Sequence, residues 1–315
     1  MPNPTEPHLP WVSIVIPAYN HATYLDQAVQ SILKQDYNNV ELIVLDDGST
    51  DNTLEVLSKY EDLFFWESQQ NMGQANTLNK GWRMAKGEIL GFISADDALL
   101  PGAVSKAVDC LKSNPDAVLS YSDFNLIDAD SRVIRRVRTP EFSYDNMVVK
   151  ITCPPGPGAF FRRSAFEVVG LWDNSLKIML DYDYWLRLGL IGRFVRIPEV
   201  LAQYRVHDSS QTFAGVDESK AREPVLIISR LFDTQPLPQR LLNRKSEALS
   251  NAHLVNAQLD FRAGRCKLGY ANLRRAFSLH PRNLFTLRAA RLMLNALFNR
   301  FGHRILWRIK HLLGE

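Results

Sequence analysis

The chain has 315 residues, 46% hydrophobic, 10% aromatic and 23% charged, a profile that excludes disorder and coiled coil and fits one or two globular domains. Its formal charge of +3 names no partner, and its three widely spaced cysteines, Cys110, Cys153 and Cys266, offer neither a disulfide framework nor a zinc cluster. The longest apolar runs fall well short of the roughly 18 residues that a membrane-spanning helix needs. The charge is unevenly spread: residues 1–220 carry 20 Lys/Arg against 29 Asp/Glu, and residues 221–315 carry 17 against 5. Two parts are therefore expected. The acidic first part suits a divalent cation, and the basic second part either faces an anionic surface or serves solubility and attraction between the parts.

The lead over 1–10 is Pro-rich and lacks the basic and apolar stretches of a secretion signal, so it reads as disordered and the protein as cytoplasmic. Val12–Ile16 is a β-branched run stopped by Pro17, which predicts a buried parallel strand. Residues 22–35 place Leu25, Ala28, Val29, Ile32 and Leu33 at helical spacing, and Glu41–Leu45 is a second strand ending at Asp46-Asp47-Gly48-Ser49. The order repeats with a helix near Asn52–Lys59, a strand around Leu63–Glu67, a helix near Gln74–Ala85 and a strand over Ile89–Ile93. This alternation predicts a mostly parallel sheet with helices on both faces, and such sheets bind ligands beyond the carboxyl ends of their strands. The informative polar residues stand there: Tyr19 and Asn20 after the first strand, Asp46 and Asp47 after the second, Asp96 and Asp97 after the fourth.

Farther on, a helix from Pro101 to Asn114 and a strand Ala117–Tyr121 precede an irregular stretch over 132–157. The run CPPGPG (153–158) within and just past it can be neither helix nor central strand, and reads as a loop near the site. A helix entry at Ser164, the segment LDYDYWLRLGL (180–190) and a last strand near Phe194–Ile197 follow. From about 220 the chain turns helical, with candidates at 221–233, 240–262, 266–279 and 283–314. In the last of these Arg300, Arg304 and Arg308 recur every four residues beside Phe301, Ile305 and Leu312. That is a basic amphipathic helix, which either lies on an anionic membrane, making the protein peripheral to it, or docks on the rest of the chain.

Five segments in order, VSIVIPAYN (12–20), VLDDGSTDNT (44–53), NMGQANTLNKGWRMAKGEI (71–89), ISADD (93–97) and MLDYDYWLRL (179–188), resemble the family 2 glycosyltransferases over roughly residues 11–212. The resemblance implies an α/β, Rossmann-like GT-A fold over 11–215, followed by an all-helical extension over 216–315. It implies that Asp47 reads the nucleotide base, with a uracil N3–H as its donor, and that Pro17, Tyr19 and Asn20 form the loop and ring against which the base packs. The alternative is that Asp47, Ser49 and Thr50 cap a helix starting near Asn52.

Two carboxylates at one strand end repel unless a cation intervenes, and Mg2+ or Mn2+ favours carboxylate and phosphate oxygens. By the resemblance, Asp96 and Asp97 hold such an ion against the donor diphosphate, either one being the direct ligand, with His207 beside it. Ser94 stands where the family carries an acid and is a candidate for the ribose. Arg205 is a further phosphate candidate. Gln74 and Asn79 are left for the diphosphate or sugar, because Leu78 occupies the place of a common Arg. Asp181 matches the general base that deprotonates the acceptor, with Leu180 where an acid is usual. Asp183, about 200° away around a helix, caps, pairs, or meets acceptor or diphosphate. Core packing is the expected role for at least two of Tyr182, Trp185 and Leu186.

The expected activity is metal-dependent, inverting transfer from a nucleotide-sugar donor, UDP-sugars first, to a glycan or lipid-linked acceptor in polysaccharide or glycan synthesis, with no nucleic-acid partner. A sugar-1-phosphate nucleotidyltransferase shares the sheet type but would carry a glycine-rich loop with Arg and Lys after the first strand, which is missing here. A non-catalytic nucleotide-sugar sensor or scaffold has Ser94 and Leu180 in its favour.

Overall fold

Seven consecutive buried residues form β1 (Val12–Ala18), and the sheet grows outward from it. β2 (Val40–Asp46) and β4 (Ile89–Phe92) flank it in parallel, and β3 (Phe65–Ser68) adds to β2, also in parallel. β8 (Phe160–Arg162) runs antiparallel between β4 and β6 (Ala117–Ile127), and β9 (Arg193–Arg205) runs parallel to β6. The two-residue β5 (Ala98–Leu99) closes the far edge, and β7 (Val133–Val137) pairs with the end of β6, giving the order β3-β2-β1-β4-β8-β6-β9-β5. The sheet is thus parallel over its first four strands and mixed beyond them. The computed structural model describes residues 9–207 and 216–294.

Helices cover both faces, as alternation along a doubly buried strand requires. On one face Val12, Ile14, Ile16 and Ala18 share a core with Leu25, Ala28, Val29 and Ile32 of α1 (Ala22–Leu33). Val104, Ala107, Val108 and Leu111 of α4 (Ala103–Ser113) join the same core, and α2 (Thr53–Ser58) adds Val56 and Leu57. On the other face α3 (Gln74–Met84) sits so close to β1 that a Cβ on Gly81 would stand 2.4 Å from Cγ1 of Val15. Trp82 of α3 stacks on Tyr184 with ring centres 5.3 Å apart and meets Phe161 edge-on at 5.2 Å. This aromatic cluster ties α3 to β8 and to α7 (Leu180–Ile191), with α6 (Arg163–Val169) contributing Phe166. Tyr182, Trp185 and Leu186 are all buried, so core packing claims all three.

Two expectations fall short. The stretch read as irregular contains β7 and α5 (Tyr144–Lys150). The last strand is 13 residues long rather than four, because Pro198 is absorbed in a bulge: Ile197 pairs with Ser122 and Val200 with Asp123, so that Pro198 and Glu199 are skipped.

The chain divides into two compact units. The first takes the described residues up to Phe142, then Cys153–Ser175 and Leu180 to the end of β9. The second takes Ser143–Thr152, Leu176–Met179 and the described residues from 216, so two short excursions from the first part of the chain belong to the helical unit. That unit holds α5, α8 (Glu218–Ala221), α9 (Glu223–Thr234), α10 (Gln239–Leu242), α11 (Lys245–Arg262) and α12 (Cys266–Leu279). Leu254, Ala276 and Ala289 form its small core, and the Asn251 side chain donates to the Val149 carbonyl at 2.8 Å, fixing α11 to α5. The predicted helix over 283–314 is interrupted at its start by a 3-10 turn, Pro281–Phe285, and resumes at 287. The lead over 1–8 and the basic amphipathic segment lie outside the described residues. Among the described residues no helix is long and apolar enough to cross a membrane.

Candidate active site

The parallel strands β2, β1 and β4 lie side by side, which brings the residues following them to one edge of the sheet. The β1 and β2 exits are stitched together. Asp47 N–H donates to the Ala18 carbonyl at 2.8 Å, and Asn20, at φ 55°, donates from its backbone to Ser49 Oγ and accepts Thr50 N–H on its side-chain oxygen, both at 2.8 Å. Asn20 is thus a brace between loops, its amide oxygen already committed. Tyr19 beside it is 47% exposed, leaving its ring open to stack.

The paired aspartates after β2 divide their work. Asp46 is wholly buried and holds its own turn, accepting from Ser49 N–H and from Ser68 Oγ at 2.6 Å. Asp47 accepts from Met72 N–H at 2.8 Å, Gly73 N–H at 2.9 Å and Gln69 Nε2 at 3.1 Å. A carboxylate accepts about four such bonds, so Asp47 retains one direction for a ligand. Gly48 makes this packing possible: its φ is +77°, and a Cβ there would stand 3.0 Å from Asn71 N. The capping alternative fails, because α2 is held instead by Asp51, which accepts from Thr53 N–H at 3.0 Å.

After β4, burial alternates along the chain, with Ser94 and Asp96 partly exposed and Ala95 and Asp97 buried. Asp97 points inward and accepts Arg205 N–H at 2.9 Å; burial, then the neighbouring Asp96 charge, hold its carboxyl well above the usual range. Asp96 faces His207, with Oδ2 3.0 Å from Nε2. The two groups share a hydrogen bond, and each is of a type that can ligate Mg2+ or Mn2+. Between the two candidates the geometry favours Asp96 as direct ligand and gives Asp97 an internal role. Among the described residues no cluster of three or more His, Cys, Asp or Glu is arranged to hold a metal.

Arg205 corrects the sequence reading. It is 1% exposed, and its guanidinium donates to the Asp96 carbonyl at 2.8 Å, the Asp128 carbonyl at 2.9 Å, the Ala129 carbonyl at 3.2 Å, Ser131 Oγ at 3.0 Å and Gln27 Oε1 at 2.6 Å. It also lies 4.5 Å over the Tyr24 ring, and Tyr24 in turn meets the His207 ring at 5.0 Å. Buried, and with all three guanidinium nitrogens bonded to the protein, it is placed to lock the Asp96-Asp97 turn and, two residues on, His207 rather than to reach a diphosphate. Tyr24 and Gln27 were not anticipated as part of this site, although their i, i+3 spacing on α1, off its apolar stripe, marks them as partners.

Asn79 is corrected for the same reason, and of the roles left open for Asp183 the structure shows pairing. The Asn79 amide exchanges bonds with the backbone of Trp172, donating to its carbonyl at 3.0 Å and accepting its N–H at 2.9 Å. Asp183 pairs with Arg187 at 2.9 Å, and Arg187 also donates to the Val169 and Leu171 carbonyls. Both hold the fold together rather than reach a ligand. Gln74, partly exposed at the start of α3, stays available.

Asp181, the second residue of α7, accepts Tyr182 N–H at 2.7 Å; burial raises its pKa. One helical turn on, Trp185 stacks on Phe92 at 6.5 Å, and Phe92 stands two residues before Ser94. Cys153 retains solvent contact, yet the protein around it and then the Asp181 carboxylate push its thiol up, so the Pro-rich loop and Asp181 are neighbours.

A model of glycosyl transferase family 2 matches residues 13–170. The chain is 32% identical over 222 residues to an uncharacterised glycosyltransferase of Rickettsia typhi, covering 68% of this chain and 70% of that one. It is 29% identical over 223 residues to a chondroitin synthase of Pasteurella multocida, covering 70% of this chain but 23% of that one. A mannosyltransferase of Pyrobaculum calidifontis, solved in complex with GDP-Man and Mn2+, shares the fold with a TM-score of 0.61 at 19% identity, covering 100% of this chain and 90% of that one.

Proposed function

The chain belongs to the family 2 glycosyltransferases, and from that premise we propose that it transfers a sugar, with inversion, from a nucleotide-diphosphate donor to a carbohydrate or lipid-linked acceptor in the assembly of a cell-surface polysaccharide or glycan. UDP-sugars are the first choice of donor. The observation that carries this reading is the placement of Asp47 and the Asp96–His207 pair beyond strands that both flank β1. The exits of β2 and β4 are two strand spacings apart, about 10 Å, a distance that a nucleoside diphosphate spans.

Asp47 offers its remaining acceptor direction to the N3–H of a uracil, and the Tyr19 ring offers a face to the base. Asp96 and His207 would hold Mn2+ or Mg2+, which when bound neutralises the diphosphate and stabilises the departing nucleotide. Asp181 takes the proton from the acceptor hydroxyl. The oxygen so freed bonds to the anomeric carbon as the bond from that carbon to the diphosphate breaks, and a single displacement of this kind inverts the centre. The likeness to a chondroitin synthase supports a polymer-building role, and the neighbour solved with GDP-Man and Mn2+ supports both the donor class and the ion.

Thermal denaturation against UDP-, GDP- and dTDP-sugars, with and without Mn2+, tests the donor, and Asp181→Asn tests the base. The expected result is stabilisation by a UDP-sugar that needs Mn2+, with Asp181→Asn still binding nucleotide but turning donor over about 100- to 10,000-fold more slowly. Stabilisation by none of the donors, or wild-type turnover in Asp181→Asn, would refute the proposal.

A further inference from the structure

Glu223 is a carboxylate to which the proposed reaction gives no task, and it is only 4% exposed. It stands in the first turn of α9, and both its oxygens are spent on one short piece of backbone. Oε1 accepts Lys177 N–H at 2.6 Å, and Oε2 accepts the N–H groups of Ile178 and Met179, each at 2.9 Å. Three successive N–H groups converging on one anion form a nest.

These three groups lead directly into α7, which opens at Leu180. The start of a helix leaves backbone donors without partners and presents the positive end of its dipole, so a negative charge is favoured there. Lys177, Ile178 and Met179 carry no side chain able to cap a helix. The Met179 N–H, just before the first helical residue, is met instead by Glu223, 44 residues farther along the chain. Asp181 is the second residue of that helix.

We infer that Glu223 is a positioning residue for the catalytic base: by gripping the 177–179 backbone it fixes where α7 begins, and with it the Asp181 carboxylate. The inference rests on the reading of Asp181 as that base. General-base transfer works over about 3 Å, and a displacement of about 1 Å costs on the order of 100-fold in rate, so a small loosening of the grip is expected to register in turnover.

Two measurements on the full chain test this. Amide hydrogen exchange reads the grip: in the wild type the 177–179 amides should exchange at least about tenfold more slowly than in an unfolded chain, and Glu223→Gln should release them. Gln keeps the volume but turns an NH2 group toward donors. Nucleotide release from UDP-N-acetylglucosamine and from GDP-mannose with Mn2+ reads the consequence. Glu223→Gln should lower turnover roughly 10- to 100-fold while the affinity for UDP or GDP stays within about twofold, and should add no further loss in an Asp181→Asn background. Unprotected 177–179 amides in the wild type, unchanged exchange in the variant, or a loss that multiplies with that of Asp181→Asn would overturn the inference. Asp181→Asn turning donor over like the wild type would instead overturn the assignment of the base, and the exchange measurement would still judge the grip.

Discussion

Replacing Arg205 by lysine separates an internal strut from a phosphate ligand. Arg205 donates to five acceptors: the carbonyls of Asp96, Asp128 and Ala129, Ser131 Oγ and Gln27 Oε1. A lysine ammonium has three N–H donors, so at least two acceptors lose their partner. Each buried acceptor left unpaired costs about 1–3 kcal/mol. Because Ser131 and Gln27 can rotate toward other partners, the low half of the combined range applies, about 3 kcal/mol. For a domain of about 200 residues that is a fall in Tm of roughly 6–12 °C. Circular dichroism melting of Arg205→Lys measures it, and calorimetric titration with UDP, with and without Mn2+, measures the consequence for the site. The expected outcome is a lowered Tm together with a weakened Mn2+-dependent part of nucleotide binding, since Asp96 and His207 both hang on the locked turn. A Tm within about 2 °C of the wild type, combined with weaker UDP binding even without metal, would show instead that the guanidinium holds the diphosphate directly.

Asp96→Ala should abolish the effect of Mn2+ on donor affinity, whereas Asp97→Asn, which can still accept Arg205 N–H, should keep that effect within a few-fold; isothermal titration in the two variants compares them. Burial raises the pKa of Asp181, so the folded chain binds this proton more tightly than the unfolded one. Its stabilising contribution is present in full below the ordinary carboxylate value of about 3.9 and is lost as pH rises through the folded value. Turnover runs the opposite way, and its acid limb should lie above about 3.9 in the wild type, as a pH–rate profile would show. Removal of residues 297–315 should abolish co-sedimentation with phosphatidylglycerol–phosphatidylcholine vesicles at low salt; unchanged binding would exclude this segment as the membrane contact.

What could be read from the sequence, and what could not, divides along the range of the interactions. β1, α1 and β2 were legible because their signals are local: a β-branched run, an apolar stripe at helical spacing, and punctuation by Gly48, although β1 runs on through Pro17, where the sequence reading stopped it, to Ala18. The strand ends then located the candidate site without any knowledge of contacts. α5 was missed beside the Pro-rich loop although its signal is local too, since Ser143 caps it by accepting Asn146 N–H at 3.2 Å. β7 was missed because Val133, Ile134, Arg135 and Arg136 are all exposed, so no alternation of apolar and polar residues marks the strand. β9 was cut short at Pro198, where only the facing register of β6 reveals a bulge.

The site residues divide in the same way. Asp47, Asp96 and His207 have partners consistent with a ligand role, but Asn79, Asp183 and Arg205 are spent on the protein, and nothing in residue type distinguishes the two groups. The partners that decide the matter lie far off in sequence: Trp172 is 93 residues from Asn79, and the Asp96 carbonyl is 109 residues from Arg205. A polar residue near a strand end is therefore weak testimony to binding until its hydrogen bonds are counted. Glu223 is the converse case, since it stands far from any strand end, in a region whose composition pointed only to charge, yet its carboxylate grips the backbone leading to Asp181. Such a residue can be found only by asking where the backbone N–H groups that lead into each helix go.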